Sequence, residues 1–184
     1  MTQEEKIAIA ETVRHRDRFG PVSQEELAAL SGKETELWIQ TKNGYCVHVF
    51  EERPEALPDR APILLNFHGG GFLKGRTDRE RRYCCAVMEA TNALVWDVDY
   101  SLAPEKPFPY AAEESYGIIQ YVFEHAEELC IDPEKIMLAG HSAGGNLVAS
   151  ALVKNAETKA FHPCCALMEY FPTDNTANPV ERLS

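Results

Sequence analysis

The chain has 184 residues, 45% of them hydrophobic, with 18 Lys and Arg against 29 Asp and Glu for a formal net charge of −11. That is enough apolar material for one core, and the acidic balance argues against a nucleic-acid or anionic-membrane partner, either of which would repel it. No apolar run approaches the ~20 residues that span a bilayer, and charges run through residues 1–20 where a secretory leader would carry an apolar stretch.

In chain order, residues 3–18 and 24–30 read as helices. Ser23 followed by Glu26 forms a capping box for the second, and Gly32 is a stop signal. The apolar stripe of the first (Ile7, Ala8, Ala10, Val13) is weak, as suits a flap laid on a larger body. Strands are expected at 36–41 and 45–51, joined by Asn43-Gly44, a dipeptide that tolerates positive φ at both places. Residues 53–62, with Pro54, Pro58 and Pro62, form a loop. Ile63 to Phe67 is a short apolar run, the pattern of a strand buried on both faces. A helix over 77–91 with Thr77 as its cap follows, then a strand at 93–98, an irregular proline-rich stretch at 102–110, and a helix over 111–129. Asp132-Pro133 marks a turn, 135–139 a strand, 143–155 a helix, 164–170 a strand, and 171–184 a loop. A hairpin followed by alternating strands and helices gives the α/β class, with a mostly parallel sheet covered by helices on both faces.

The six cysteines, Cys46, Cys84, Cys85, Cys130, Cys164 and Cys165, include no C-x-x-C pair and all fall in apolar segments. They read as buried, reduced thiols of a cytoplasmic protein, with neither disulfide nor zinc.

Two motifs carry chemistry. Gly140-His141-Ser142-Ala143-Gly144 fits G-x-S-x-G and lies between an expected strand and an expected helix, the context this motif requires. Its serine sits on a sharp turn with its hydroxyl above the sheet, and glycines two residues either side avoid a clash with neighbouring backbone. The second motif, His68-Gly69-Gly70-Gly71-Phe72, follows the strand at 63–67. Three successive glycines let backbone N–H groups approach a ligand closely, as an oxyanion hole demands. A phosphate-cradling loop is disfavoured because G-x-x-x-x-G-K-[ST] is missing and Lys74 stands in the wrong place.

Together, His68–Phe72, Asp99–Glu105 and Gly140–Asn146 resemble the hormone-sensitive-lipase family of α/β-hydrolases, in the same order and spacing, over about residues 36–184. The resemblance implies an α/β-hydrolase fold, a small-molecule ester substrate with a short acyl group, and no metal or organic cofactor. Carried over by position, Ser142 is the nucleophile, and the N–H groups of Gly70, Gly71 and Ala143 form the oxyanion hole. His68 braces the glycine turn, and Phe72 and Tyr100 either line the site or pack beside it. Residues 1–33 correspond to an N-terminal helical cap segment and 34–184 to the N-terminal portion of the hydrolase domain. Many relatives carry an acidic residue at the His141 position and an arginine at Ser101.

In this fold the triad acid and base follow the serine in chain order. Here the strand at 164–170 leads into Phe171-Pro172-Thr173-Asp174, and Asp174 is followed by no histidine. The sheet is therefore expected to be incomplete at its C-terminal edge, with the triad Asp and His lacking and the esterase crippled. His141 adjoins the serine but points away; His125 ends a helix; His162 precedes the last strand at the far end of the sheet. An open sixth strand would recruit a second copy or a second polypeptide. The alternatives are an inactive remnant of the same fold; a non-catalytic small-molecule binding protein, against which the intact Ser142 and the need for a complete cap argue; and a peptidase, which the His-Gly-Gly-Gly loop disfavours.

Overall fold

The computed structural model describes residues 1–16 and 20–173. Its elements are α1 (Gln3–Arg14), α2 (Gln24–Ala28), β1 (Lys33–Gln40), β2 (Cys46–Arg53), β3 (Ala61–Phe67), α3 (Asp78–Thr91), β4 (Leu94–Asp99), α4 (Tyr110–Glu124), β5 (Ile131–His141), α5 (Ala143–Thr158) and β6 (Cys165–Glu169). The expected first helix ends at Arg14, and its residues 17 and 18 lie outside the described residues. The expectation for Asp174 does too.

The strands form one sheet in the order β1-β2-β4-β3-β5-β6. β1 and β2 are antiparallel, β2 runs antiparallel to β4, and the β4-β3-β5-β6 block is parallel. The two-residue period of a strand sends alternate side chains to opposite faces. Ile63, Leu65 and Phe67 on β3, with Leu94, Trp96 and Val98 on β4, join the main core with Ile118, Ile119 and Val122 of α4 and Leu147 and Val148 of α5. The other face packs Leu64 and Val95 against Cys84 and Met88 of α3. Helices thus cover both faces, as the pattern implied.

Beneath α3 the second face is polar. Asn66 donates to Asp97 at 2.7 Å, and the Arg76 guanidinium meets Asp97 at 2.5 Å and Glu34 at 2.9 Å. Burial pushes the Asp97 carboxyl up, against the opposing pull of Arg76.

Four sequence expectations need correction. The β1–β2 hairpin turns at Asn43-Gly44, closed by Thr41 N–H donating to Tyr45 O, but only Gly44 of the pair has positive φ. Asn43 instead donates from its side chain to the Glu113 carbonyl of α4, a tertiary contact that propensity does not encode. Asp132-Pro133 lies inside β5, because the chain turns earlier, at Cys130 with φ 56°. α4 stops at Glu124, short of residue 129, where His125 closes it through its ring and its N–H onto the Tyr121 carbonyl. Finally, only Cys84 and Cys85 are buried; Cys46, Cys130, Cys164 and Cys165 are exposed, although all six are free thiols.

Candidate active site

β5 delivers the chain to Ser142, and α5 carries it away. Ser142 has φ 52° and ψ −117°, a conformation that costs a non-glycine residue about 1–3 kcal/mol and persists only where surroundings over-determine it. They do so here. The Ser142 N–H donates to the Glu169 carbonyl on β6 at 3.0 Å, and its carbonyl accepts from Asn146 N–H at 3.1 Å. The turn is so tight that a Cβ on Gly144 would lie 1.8 Å from the Phe67 carbonyl oxygen, and one on Gly140 would lie 2.5 Å from Gly144. This is the steric demand read from the motif. Ala143, the first residue of α5, is buried, and its N–H is among those a helix start leaves without intrahelical partners.

The glycine loop leaves β3 and folds back over the head of β5. Gly70 has φ 129°, and a Cβ there would meet the Lys74 carbonyl oxygen at 2.4 Å; the Gly70 carbonyl accepts from Leu73 and Lys74 N–H to close the turn. His68 is fully buried. Its Nδ1–H donates to the Gly69 carbonyl at 2.7 Å, its Nε2 lies 3.5 Å from Asp99, and its ring stacks on Tyr100 with centroids 4.2 Å apart. Tyr100 donates its hydroxyl to the His68 carbonyl at 2.7 Å. Burial alone would lower the His68 pKa, but the bond to Asp99 and the Gly69 carbonyl raise it on balance.

A cleft of about 660 Å³ opens here, lined by Gly69, Gly70, His141, Ser142, Glu80 and Tyr170 among others. Gly71 and Ala143 adjoin those residues in the chain without lining it. Phe72 packs against the main core, and Tyr100 is buried, so neither faces the Ser142 cleft. Ser101, where many relatives have arginine, gives its N–H and hydroxyl to Glu114, each at 2.7 Å.

Several site residues had no signal in the sequence. Arg14 of α1 lines the cleft and ties the N-terminal segment to its rim. It donates to the Leu73 and Ala103 carbonyls at 2.8 and 3.0 Å and pairs with Glu105 at 2.6 Å. Those bonds to Glu105 hold its pKa above the ordinary arginine value. Glu80 bonds Thr77 in a capping box and lies 3.5 Å from His141 Nε2. Burial would push the Glu80 carboxyl up, but contact with His141 and the Thr77 hydrogen bonds outweigh it and bring it down to about 2. Among the described residues no group of three or more His, Cys, Asp or Glu could hold a metal, and no helix is long and apolar enough to cross a membrane.

A family model of the alpha/beta hydrolase fold matches residues 64–182, and human hormone-sensitive lipase is 36% identical over 104 residues, 56% of this chain and 10% of that protein. The chain belongs to the hormone-sensitive-lipase family of α/β-hydrolases. The chain is also 34% identical to an AB hydrolase superfamily protein of Schizosaccharomyces pombe, over 86% of this chain and 46% of that one. Esterase LipI of Mycobacterium tuberculosis is 35% identical over 65% of this chain and 38% of its own. Among solved structures, a bacterial heroin esterase superposes with a TM-score of 0.79 at 28% identity, covering 99% of this chain and 56% of the esterase. A Pyrobaculum calidifontis esterase gives 0.76 at 25%, covering 98% and 55%. The chain spans less than half the length of these curated relatives and just over half of these solved structures.

Proposed function

We propose that Ser142 is the nucleophile of a carboxylic-ester hydrolase acting on small, short-acyl esters. The observation that carries this reading is the strained Ser142 elbow at a cleft whose facing wall is the glycine loop. In the proposed reaction Ser142 Oγ attacks the ester carbonyl carbon while a base takes its proton. The N–H groups of Gly70, Gly71 and Ala143 receive the oxyanion, and the alcohol leaves as the tetrahedral intermediate collapses to an acyl-serine that water then hydrolyses. The relatives' names, esterase and lipase, support this class.

The base is the missing part. All six histidines of the sequence lie among the described residues, and none hydrogen-bonds Ser142. His68 and His141 hold Gly69, His48 lies 3.1 Å from Asp99, His125 bonds the Tyr121 carbonyl, His15 lies 3.3 Å from Glu11, and His162 precedes β6 at the far end of the sheet. No histidine of these residues is therefore placed to take the Ser142 proton, and we take the base to be supplied by further polypeptide. In a serine protease, losing the serine–base unit costs roughly 10⁶ in kcat, while the oxyanion hole and binding alone retain about 10³–10⁴ over water. Residues 1–33, tied down by Arg14, serve as a cap over the acyl pocket. The exposed β6 edge is where a second copy or a second polypeptide would pair. Free thiols at all six cysteines favour a cytoplasmic site of action.

The test is hydrolysis of p-nitrophenyl acetate by the 184-residue chain beside Ser142→Ala. Equal, slow rates are expected. Turnover by the wild type alone would place a working base within these residues or their oligomer.

A further inference from the structure

The residue preceding the proposed oxyanion donors, Gly69, is held at its N–H and at its carbonyl by two imidazoles. His68 Nδ1–H donates to the Gly69 carbonyl at 2.7 Å, and Gly69 N–H donates to His141 Nε2 at 3.0 Å. The rings reach Gly69 from different elements, His68 at the exit of β3 and His141 at the end of β5 beside Ser142. A Cβ on Gly69 would fall 2.9 Å from His141 Cδ2, so the absent side chain is what lets the imidazole lie against this peptide. A backbone N–H can donate only to a nitrogen with a free lone pair, which makes His141 a neutral imidazole with its proton on Nδ1. Glu80 competes for the same nitrogen, with Oε1 3.5 Å away, and requires it to carry a proton; the pull of His141 that helps hold the Glu80 carboxyl down belongs to that protonated form, in which the Gly69 bond is given up. Gly69 N–H is closer, and its contact has hydrogen-bond geometry.

We propose that His141 is a positioning residue for ester hydrolysis: its neutral Nε2 fixes the Gly69 peptide and thereby aims the Gly70 and Gly71 N–H groups at the position of the oxyanion beside Ser142. This rests on the reading of Ser142 as nucleophile. His141 is not read as the base, because its Nε2 is already taken by the Gly69 N–H and it makes no hydrogen bond to Ser142. The Gly69–His141 bond extends the β3–β5 pairing, which ends at Phe67 and Gly140, one step further, from the elbow into the glycine loop. The contact depends on an acceptor at this position and not on a charge, so an uncharged amide of similar reach can replace it.

Two readouts test this on the 184-residue protein. The first is the scalar coupling across an N–H···N hydrogen bond between Gly69 and His141 Nε2 in protein labelled with nitrogen-15, with hydrogen exchange at Gly69. We expect the coupling to be present. His141→Phe, which keeps a ring but has no acceptor, should lower Gly69 protection about tenfold or more, and His141→Gln should restore it. The second is the rate at which p-nitrophenyl acetate acetylates Ser142 when free imidazole supplies the base, read by peptide mass spectrometry. His141→Phe should slow it about tenfold or more, the lower end of what a lost oxyanion donor costs being about a hundredfold, and His141→Gln should recover most of it. An Nε2 found protonated and directed at Glu80, or a His141→Phe protein acetylated at the wild-type rate, overturns the proposal. If wild-type Ser142 is not acetylated at all, the hydrolase reading fails and the positioning role falls with it, while the coupling still decides whether the contact exists.

Discussion

The two flanks of β5 are built differently. On one side β3 pairs with it through Ile63 to Phe67, every one of them buried beneath α3 or α5. On the other, β6 pairs from Met137 to His141, yet Leu167 is 51% exposed, Tyr170 is 75% exposed, and Cys165 and Ala166 are also exposed. Ser142 stands at the seam. Its elbow is jammed against the Phe67 carbonyl on the buried flank and tied to the Glu169 carbonyl on the exposed one. The contrast separates two requirements. The buried flank confines the strained Ser142 elbow by close contact, and the exposed flank ties it by a hydrogen bond. The exposed flank still presents apolar strand surface of the kind that pairs with further polypeptide.

That contrast can be broken from the buried side. Gly144→Ala drives a Cβ into the Phe67 carbonyl, and backbone cannot yield as a side chain tip can. The expected loss is about 3 kcal/mol or more, read from urea denaturation. Arg14→Ala should cost less, about 1.5–3 kcal/mol for the charge-assisted bonds it makes. The loss should show locally, as faster amide exchange in α1 with β3 and β5 unchanged.

Acid sharpens the comparison further. Glu80 is ionised in the fold down to about pH 2, against an ordinary value of 4.5. A depressed carboxyl contributes stability that is complete above its unfolded value and is lost as pH falls through the folded one. The stability gap between wild type and Glu80→Gln should therefore be widest near neutral pH and close as pH falls from about 4.5 to about 2. A gap unchanged across that window would remove Glu80 from the account. On the exposed flank, Leu167→Lys should change unfolding free energy by no more than about 0.5 kcal/mol. It should nonetheless reduce self-association measured by sedimentation, if β6 is the surface through which copies pair.

The parallel sheet, the Thr77 cap and the elbow were legible because each has a local signal: an apolar run at Ile63–Phe67, a threonine just before a helical pattern, and glycines flanking Ser142. The Arg14 clasp was not, because it joins residues 59 and 91 apart whose pairing depends on how α1 docks. Nor was the grip of His141 on Gly69; its neighbourhood to Ser142 suggested only that it points away, and no spacing rule says where. The exposed cysteines show the same limit. Pattern reading places Cys164 and Cys165 in a buried strand, but Cys165 opens β6 at the edge of the sheet and Cys164 stands just before it, and both are exposed.

The most direct measurement is site-resolved acetylation of the 184-residue protein by p-nitrophenyl acetate, with and without free imidazole, read as the acetylated Ser142 peptide. The account predicts Ser142 labelling that outpaces every other serine when imidazole is present and falls to their level when it is absent, since the nucleophile and oxyanion donors are in place and the base is not. Equal labelling of Ser142 in both conditions would show that a base already serves it, and no preference for Ser142 in either would show that the elbow is not a nucleophile.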